Sequence, residues 1–212
     1  MDIQYAWLCI LFPFIGAALT PFLAKIHPKL RDYGAVSFSF LAAFSSVKLL
    51  PYLFNPSVLP VESAVVWLGA PIKLTFGVLA DPLSIILANV VAVISFFIMV
   101  YSIGYMRGDP SITRYWMLMN LFIGSMLLLV LSNNLLFLFV GWKLVGLCSY
   151  ALIGFYYKDE ERYWIGGPPP TKYCTPSHAG LKALVMTSAG DVFLLGGILI
   201  IFFYSKTLNL LE

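Results

Sequence analysis

The chain has 212 residues, of which 60% are hydrophobic and only 11% are charged, and its formal net charge is +3. Soluble domains carry about 25% charged residues, so this composition excludes a water-soluble globular protein. The basic residues are not clustered, which argues against nucleic acid as a partner and against a polybasic arm at the membrane surface.

Six apolar stretches are long enough to cross a bilayer, which takes about 20 residues of helix. They lie at residues 5–24, 33–54, 82–106, 115–131, 135–157 and 179–204. The sequence therefore predicts an all-α fold, a polytopic transmembrane helix bundle of about six spans, with a single membrane domain over residues 1–212. The first stretch lacks a basic region and a small-residue cleavage site, so we expect a retained helix and not a signal peptide.

The segment between the second and third spans is polar enough to leave the membrane. Residues 72–76 alternate apolar and polar side chains, and the apolar run 64–68 precedes them across a Gly-Ala-Pro turn at 69–71. This pattern predicts a small external β-hairpin. Asp81 followed by Pro82 then predicts an N-cap and the first position of the third helix.

Three connections, at residues 25–32, 107–114 and 158–178, share one side of the predicted bundle. In membrane proteins, the connecting loops that are rich in Lys and Arg face the cytoplasm. We therefore expect these loops to be cytoplasmic and both termini to be outside. A prokaryotic plasma membrane is expected in preference to an organelle inner membrane. The Gly-Gly-Pro-Pro-Pro run at 166–170 cannot be helical and is expected to be an exposed connection available to a neighbouring subunit. The three loops hold Lys25, Lys29, Arg31, Arg107, Arg114, Lys158, Arg162 and Lys172, against Lys48, Lys73 and Lys206 opposite.

No pattern of a cofactor or metal site is present in the sequence. Cys9, Cys148 and Cys174 lack metal-binding spacing, and there is no phosphate loop, dinucleotide fingerprint or haem-binding pair of histidines. We therefore expect no cofactor in this chain, and a free-standing enzyme is the weakest class of function.

Three ionisable residues within the predicted spans are the candidates for function. A Lys or Asp at the centre of a transmembrane helix costs about 2.5–3.5 kcal/mol, so such residues are seldom present without a role. Lys143 lies near the middle of the fifth span, Asp191 near the middle of the sixth, and Lys182 nine residues before Asp191. All three are predicted to lie on a proton path.

Each candidate also has a structural interpretation, which the sequence leaves open. Lys143 is either a protonatable site with a pKa lowered by desolvation or half of an ion pair between helices. Asp191 is either a proton relay or a hydrogen-bonded helix contact beside the small residue Gly190. Lys182 lies about 13 Å from Asp191 on nearly the opposite helix face, close enough to the cytoplasmic end to extend to the interface. A direct pair between Lys143 and Asp191 is possible.

Several motifs in order along the chain resemble one family. They are DPLS at 81–84, YSIGYMRG at 101–108, FVGW at 139–142, VGLCSYALIGFYY at 145–157, and KAL at 182–184 with GDVFL at 190–194. Together they resemble the N-terminal part of the large antiporter-like subunit of respiratory complex I, called chain 5 or subunit L, whose kin are Mrp-type antiporter subunits. The loop before the sixth span resembles the methanogen deazaflavin-oxidising version more than the bacterial ones.

The resemblance implies a proton-translocating subunit driven by electron transfer elsewhere in a complex. It implies no redox cofactor in this chain, which would be held by partner subunits, and a proton path through a glutamate on the fifth helix, further lysines and a chain of water. Other membrane-arm subunits and the lipid bilayer are the implied partners.

Two substitutions depart from the family pattern. The family glutamate that follows Gly-Trp falls at Lys143, and the arginine that bacterial relatives often carry before Gly-Asp falls at Ser188. Either the positive charge has moved from the sixth helix to the fifth, with Asp191 as its partner, or the pump is disabled.

The family's lysine on the seventh helix and its second half are not in this sequence, so a fragment, a split product supplemented by a companion chain, or a degenerate paralogue is expected. A non-pumping structural subunit and an Mrp-type cation/proton antiporter remain the alternatives to a proton-translocating subunit.

Overall fold

The chain folds as a bundle of long apolar helices with one small sheet. The computed structural model describes residues 3–54, 59–68, 74–164 and 175–211. Within these ranges, six helices are long and apolar enough to cross a membrane, which confirms the predicted transmembrane bundle. They are α1 (Gln4–Ile26), α2 (Pro28–Val47), α3 (Pro82–Tyr105), α4 (Ile112–Leu131), α5 (Leu135–Ile153) and α6 (Pro176–Ser205).

The core lies among the first four helices, and the last two are appended to it. α1 packs against α2 and α4, α3 against α2 and α4, and α5 against α4, whereas α6 packs principally against α5. Half of the most apolar window of α4 is buried, compared with 11% for α5 and for α6. The outer faces of α5 and α6 are therefore open to lipid or to a partner.

The predicted hairpin is present, although its strands are longer than expected. β1 (Val61–Leu68) pairs antiparallel with β2 (Leu74–Ala80), and Val65 lies opposite Phe76. The predicted turn at 69–71, like the Gly-Gly-Pro run at 166–170, lies outside the described residues. We call one end of the bundle the hairpin side; it carries this sheet, the turn between α4 and α5, and the chain after α6. We call the opposite end, which carries the α3–α4 and α5–α6 connections, the basic side.

Glu62 of β1 joins three segments on the hairpin side. Its Oε1 accepts a hydrogen bond of 2.7 Å from the Asn133 side chain in the α4–α5 turn and one of 2.9 Å from the Asn209 side chain beyond α6. Asn133 also accepts the backbone N–H of Leu210 at 3.0 Å. One carboxylate therefore ties the sheet to the adjacent ends of α5 and α6.

Two helices that begin with a proline start earlier than the sequence predicted. α2 starts at Pro28 and not at 33, and α6 starts at Pro176 and not at 179. In both, proline occupies the first turn, where its missing N–H costs nothing, and the preceding His27 or Thr175 accepts a backbone N–H with its side chain. The predicted loop 25–32 is therefore mostly helical.

Other helix ends differ for equally local reasons. α2 stops at Val47 and gives way to a short 3-10 helix at Leu50–Phe54, since Pro51 cannot continue an α-helix. α5 stops at Ile153 with Gly154 as its C-cap, four residues before the predicted end. α4 starts at Ile112, so part of the predicted loop 107–114 is its first turn.

Gly141 sets the distance between α4 and α5. A Cβ at this position would lie 2.8 Å from the backbone N of Leu129 and 3.1 Å from the backbone O of Ser125. Backbone atoms of a packed helix cannot move aside cheaply. Gly190, by contrast, has no neighbouring atom from another described segment within 4 Å of its would-be Cβ, so the hydrogen-bonded contact of Asp191 with α5 does not depend on a close approach at this glycine.

We expect Gly141→Ala to destabilise the chain by about 1–3 kcal/mol, because the added methyl overpacks the α4–α5 contact. Gly190→Ala is the matched control, since the same methyl meets open space and alanine favours a helix. Thermal unfolding of both variants in detergent measures the difference. Equal melting temperatures would contradict the role given to Gly141.

The start of α6 is held by Asp159, which lies in the left-handed region at φ 52°. Its carboxylate accepts the backbone N–H of Ser177 at 3.0 Å and also the Ser177 hydroxyl. The hydroxyl bond, followed by the backbone bond, lowers the pKa of Asp159 below its ordinary value. The carboxylate therefore favours the helical first turn of α6 in its charged form.

This contribution is expected to depend on pH with a definite sign. Because the folded-state pKa is depressed, the stabilisation is present above the unfolded pKa of about 3.9 and is lost as the pH falls through the lower folded value. Hydrogen exchange at the first turn of α6, corrected for intrinsic rates, should lose protection below about pH 4. Asp159→Asn, which also tolerates positive φ, should remove the dependence; an unchanged pH profile would contradict it.

Candidate functional site

Lys143 and Asp191 form an ion pair near the middle of α5 and α6. The Lys143 Nζ lies 2.6 Å from Asp191 Oδ2. The Asp191 side chain is 9% exposed, whereas that of Lys143 is 43% exposed. The pair that the sequence left as a possibility is thus present, and the carboxylate is its buried member.

Trp142 is a site residue that sequence reasoning missed. Its indole N–H donates a hydrogen bond of 2.8 Å to Asp191 Oδ1, while Lys143 takes the other oxygen. Both carboxylate oxygens are therefore occupied by donors from adjacent positions of α5. In the sequence, the Gly-Trp pair is visible only as part of a family motif, although a tryptophan beside a mid-span charge is a usable signal because an indole N–H away from water requires an acceptor.

A groove of about 280 Å³ lies beside the pair, between α5 and α6. Its charged wall is Lys143 and Asp191, and its other walls are apolar apart from Thr187. Gly146 faces Thr187 here, with the Thr187 hydroxyl 3.9 Å from its would-be Cβ. The groove is large enough for several waters, and both charged groups line it.

The hydroxyls near the pair have backbone partners. Thr187 donates to the carbonyl of Leu184 at 3.0 Å and Ser149 to that of Val145 at 2.8 Å. Each oxygen still has acceptor capacity for water, but neither bonds the ion pair directly.

Lys182 is not brought to this pair. It is exposed on α6 and lines a different surface depression with Leu181, Val185 and Met186. It lies six residues after the start of a 30-residue helix, which is about 45 Å long and exceeds the hydrocarbon thickness of about 30 Å. Lys182 is therefore close to the basic-side interface, within reach of the headgroup region.

The arrangement defines a class: a multi-pass helical membrane protein with a charged pair at mid-span. Two family models match it, the N-terminal model of NADH-ubiquinone oxidoreductase (complex I) chain 5 over residues 67–116 and the transmembrane model of NADH:quinone oxidoreductase and Mrp antiporters over residues 132–212. The chain belongs to the family of complex I chain 5, or subunit L, and the related antiporter-like subunits.

Relatives from bacteria and archaea agree with this membership. NADH-quinone oxidoreductase subunit L of Pseudomonas aeruginosa is 35% identical over 97% of this chain, and F420H2 dehydrogenase subunit L of Methanosarcina mazei is 33% identical over 93% of it. The chain spans 32% of the first relative's length and 27% of the second's.

Solved structures share the fold. The Mrp complex from Dietzia sp. matches with a TM-score of 0.68 and 26% identity, over 98% of this chain and 20% of the matched one. The membrane-bound sulfane sulfur reductase, an archaeal respiratory membrane complex, matches with a TM-score of 0.78 and 21% identity, over 97% of this chain and 38% of that one.

Proposed function

We propose that the chain is the N-terminal part of a proton-translocating membrane-arm subunit in a complex I-like oxidoreductase, and that Lys143 and Asp191 exchange a proton during turnover. The observation that carries this proposal is the 2.6 Å contact between the two groups at mid-span beside a groove. A charged pair at that depth is costly to maintain, and proton relays are among the roles for which membrane proteins retain one.

The chemistry needs two states of the pair. In the closed state, Lys143 is positive and Asp191 negative, and each stabilises the charge of the other. When the helices separate or a second positive charge approaches Lys143, the ammonium loses that support and releases its proton more readily to water in the groove. Trp142 keeps the carboxylate in place during this exchange, since it holds the oxygen that Lys143 does not use.

The altered charge pattern supports a relocated site. The resemblance places a glutamate at 143 and often an arginine at 188, where this chain has lysine and serine. Relative to that pattern, α5 has a cation in place of a carboxylate, and α6 has lost its cation. Because Asp191 now bonds that α5 cation, the pair keeps one positive and one negative group at mid-span.

Lys182 is proposed as a separate station on the proton path, nearer the basic side. It has no hydrogen-bond or ion-pair partner among the residues that the structure describes. About 13 Å along α6 separates it from Asp191, so a proton passing between them requires intervening water.

The open faces of α5 and α6 indicate what completes the subunit. Only 11% of each helix's apolar window is buried, and the chain spans between 20% and 32% of the length of the curated relatives it matches. We propose that further helices, from the same subunit or a companion chain, cover these faces, that other membrane-arm subunits flank the protein, and that redox cofactors lie in partner subunits. The basic side is proposed to face the cytoplasm of a prokaryotic cell.

Purification of the native complex in mild detergent, with mass spectrometry of every co-migrating chain, tests this assignment. Redox subunits together with helices continuing the subunit are the expected result, and proton flux in vesicles should then depend on electron transfer. Finding redox subunits without such helices would contradict the proposed proton translocation and favour a structural role for the chain.

Two other functions have specific support. A non-pumping structural paralogue is favoured by the lysine at position 143, where the family carries glutamate. A cation/proton antiporter is favoured by the match to the Mrp complex. Sodium-dependent proton exchange without any redox subunit would select the antiporter.

A further inference from the structure

A second cavity, of about 260 Å³, opens at the basic side, far from the mid-span pair. It lies between the α3–α4 connection, the first turn of α4 and the chain after α5. We call this space the basic cavity. Its charged lining consists of Arg114, Lys158 and Arg162 with Asp109 and Glu160.

The two carboxylates of the basic cavity are already engaged. Glu160 pairs with Arg162 at 2.6 Å. Asp109 accepts the Tyr156 hydroxyl at 3.0 Å and the Ser111 backbone N–H at 2.7 Å. Among the described residues, Arg114 and Lys158 therefore have no carboxylate within ion-pair distance, and the cavity retains positive charge.

Arg114 is held in a fixed position. Its Nη2 donates to the carbonyl of Phe155, and its guanidinium carbon lies 4.6 Å and 4.7 Å from the ring centres of Phe155 and Tyr157. Its Nε hydrogen has no partner within the described part of the chain. A guanidinium fixed by aromatic rings has little freedom to lose on binding, and its planar fork matches the oxygens of a phosphate.

An adjoining cavity of about 190 Å³ shares Arg114 and Tyr157 and continues along α5 toward the membrane. Its walls there are Tyr150, Ala151 and Gly154, with Ser177 of α6 at the rim. A ligand spanning both spaces would have an anionic head against cations and an apolar part against the helices. Free phosphate would leave the second space unused.

We propose that this pair of cavities binds an anionic phospholipid of the surrounding bilayer, with its phosphate at Arg114 and Lys158 and its apolar part beside Ala151 and Gly154. Arg114 is the third residue of a membrane span, so its guanidinium lies at headgroup depth. The exposed ring of Tyr157 has the amphipathic character of residues at this interface. This inference is independent of proton transfer.

Native mass spectrometry of the protein, purified from its membrane in mild detergent with whatever chains accompany it, tests the proposal. The probes are phosphatidylglycerol, phosphatidylcholine and inorganic phosphate, each added to delipidated samples. We expect phosphatidylglycerol to bind more tightly than phosphatidylcholine. Lys158→Gln should weaken its binding about fivefold, as expected for one basic residue at an anionic lipid surface.

The matched control is Arg107→Gln, an exposed basic residue on the same side that does not line the cavity. Arg114→Gln is a second variant, which should lose the lipid preference, and its melting temperature shows whether it folds. The proposed site would be contradicted if Lys158→Gln bound phosphatidylglycerol as tightly as the wild type, or if Arg107→Gln weakened this binding as much as Lys158→Gln does. Saturation by inorganic phosphate with no preference between lipids would overturn the lipid as its ligand.

Discussion

Replacing Lys143 by glutamate is expected to stop proton movement through the complex, and adding Ser188→Arg is expected to restore it. The single change sets a second carboxylate against Asp191, where a cation now lies at 2.6 Å. Asp191 is the buried member of the pair, and a buried carboxylate beside a second negative charge is strongly disfavoured, so we expect the flux to fall more than about tenfold. Ser188 is three residues before Asp191 on α6, so an arginine there is a helical neighbour of the carboxylate.

Proton uptake into membrane vesicles, followed with a pH-sensitive dye and normalised to assembled complex, measures both variants. Failure of Ser188→Arg to raise the flux of Lys143→Glu would contradict a charge that has moved between helices. Lys143→Arg separates pairing from proton exchange: arginine keeps the ion pair but does not release its proton at accessible pH. We expect Lys143→Arg to assemble normally and to lose proton flux. Full proton flux in this variant would show that the role of Lys143 is structural.

Asp191→Asn is the second change with a large expected effect. The amide can still accept from Trp142, but it leaves the Lys143 ammonium without a counter-charge. We expect proton flux to fall to less than about a tenth of the wild-type value, with the complex still assembled. The same vesicle assay, with the assembled fraction quantified on native gels, makes the measurement.

Asp32 provides a matched control for this substitution. Its Oδ1 accepts the Trp116 indole N–H at 2.8 Å and Arg31 Nε at 2.8 Å, which repeats the tryptophan-and-cation environment of Asp191 at the basic-side start of α2. Asp32→Asn removes a carboxylate that accepts from the same two kinds of donor, both at one oxygen, and it leaves the mid-span pair unchanged. If both variants lowered the flux per assembled complex equally, the effect of Asp191→Asn would be structural.

Hydropathy sufficed to predict the six spans because each is a long apolar run, and strand alternation sufficed for the hairpin. The helix starts at Pro28 and Pro176 were missed because a proline beside charged or polar residues resembles a loop. In both cases, a side-chain cap on the preceding residue made proline the first helical position. Capping is a local signal, so these starts were within reach of sequence reasoning.

The site was only partly predictable. Depth in the span identified Lys143 and Asp191 as costly charges, but sequence cannot give the rotation of one helix against another. Their contact therefore became visible only in the fold. Gly190 and Gly141 show the same limit: one has open space and the other a tight helix contact, yet the two glycines look alike in sequence.

Glu62 constrains how the mid-span pair can open. Its bonds to Asn133 and Asn209 hold the hairpin-side ends of α5 and α6 together, so a tilt about that end is a relative motion of these helices that leaves those bonds intact. Asp191 lies 14 residues before Ser205, at a lever arm of about 21 Å. A tilt of about 5° would move the carboxylate by about 2 Å, enough to separate it from Lys143, while the tethered ends stay in place.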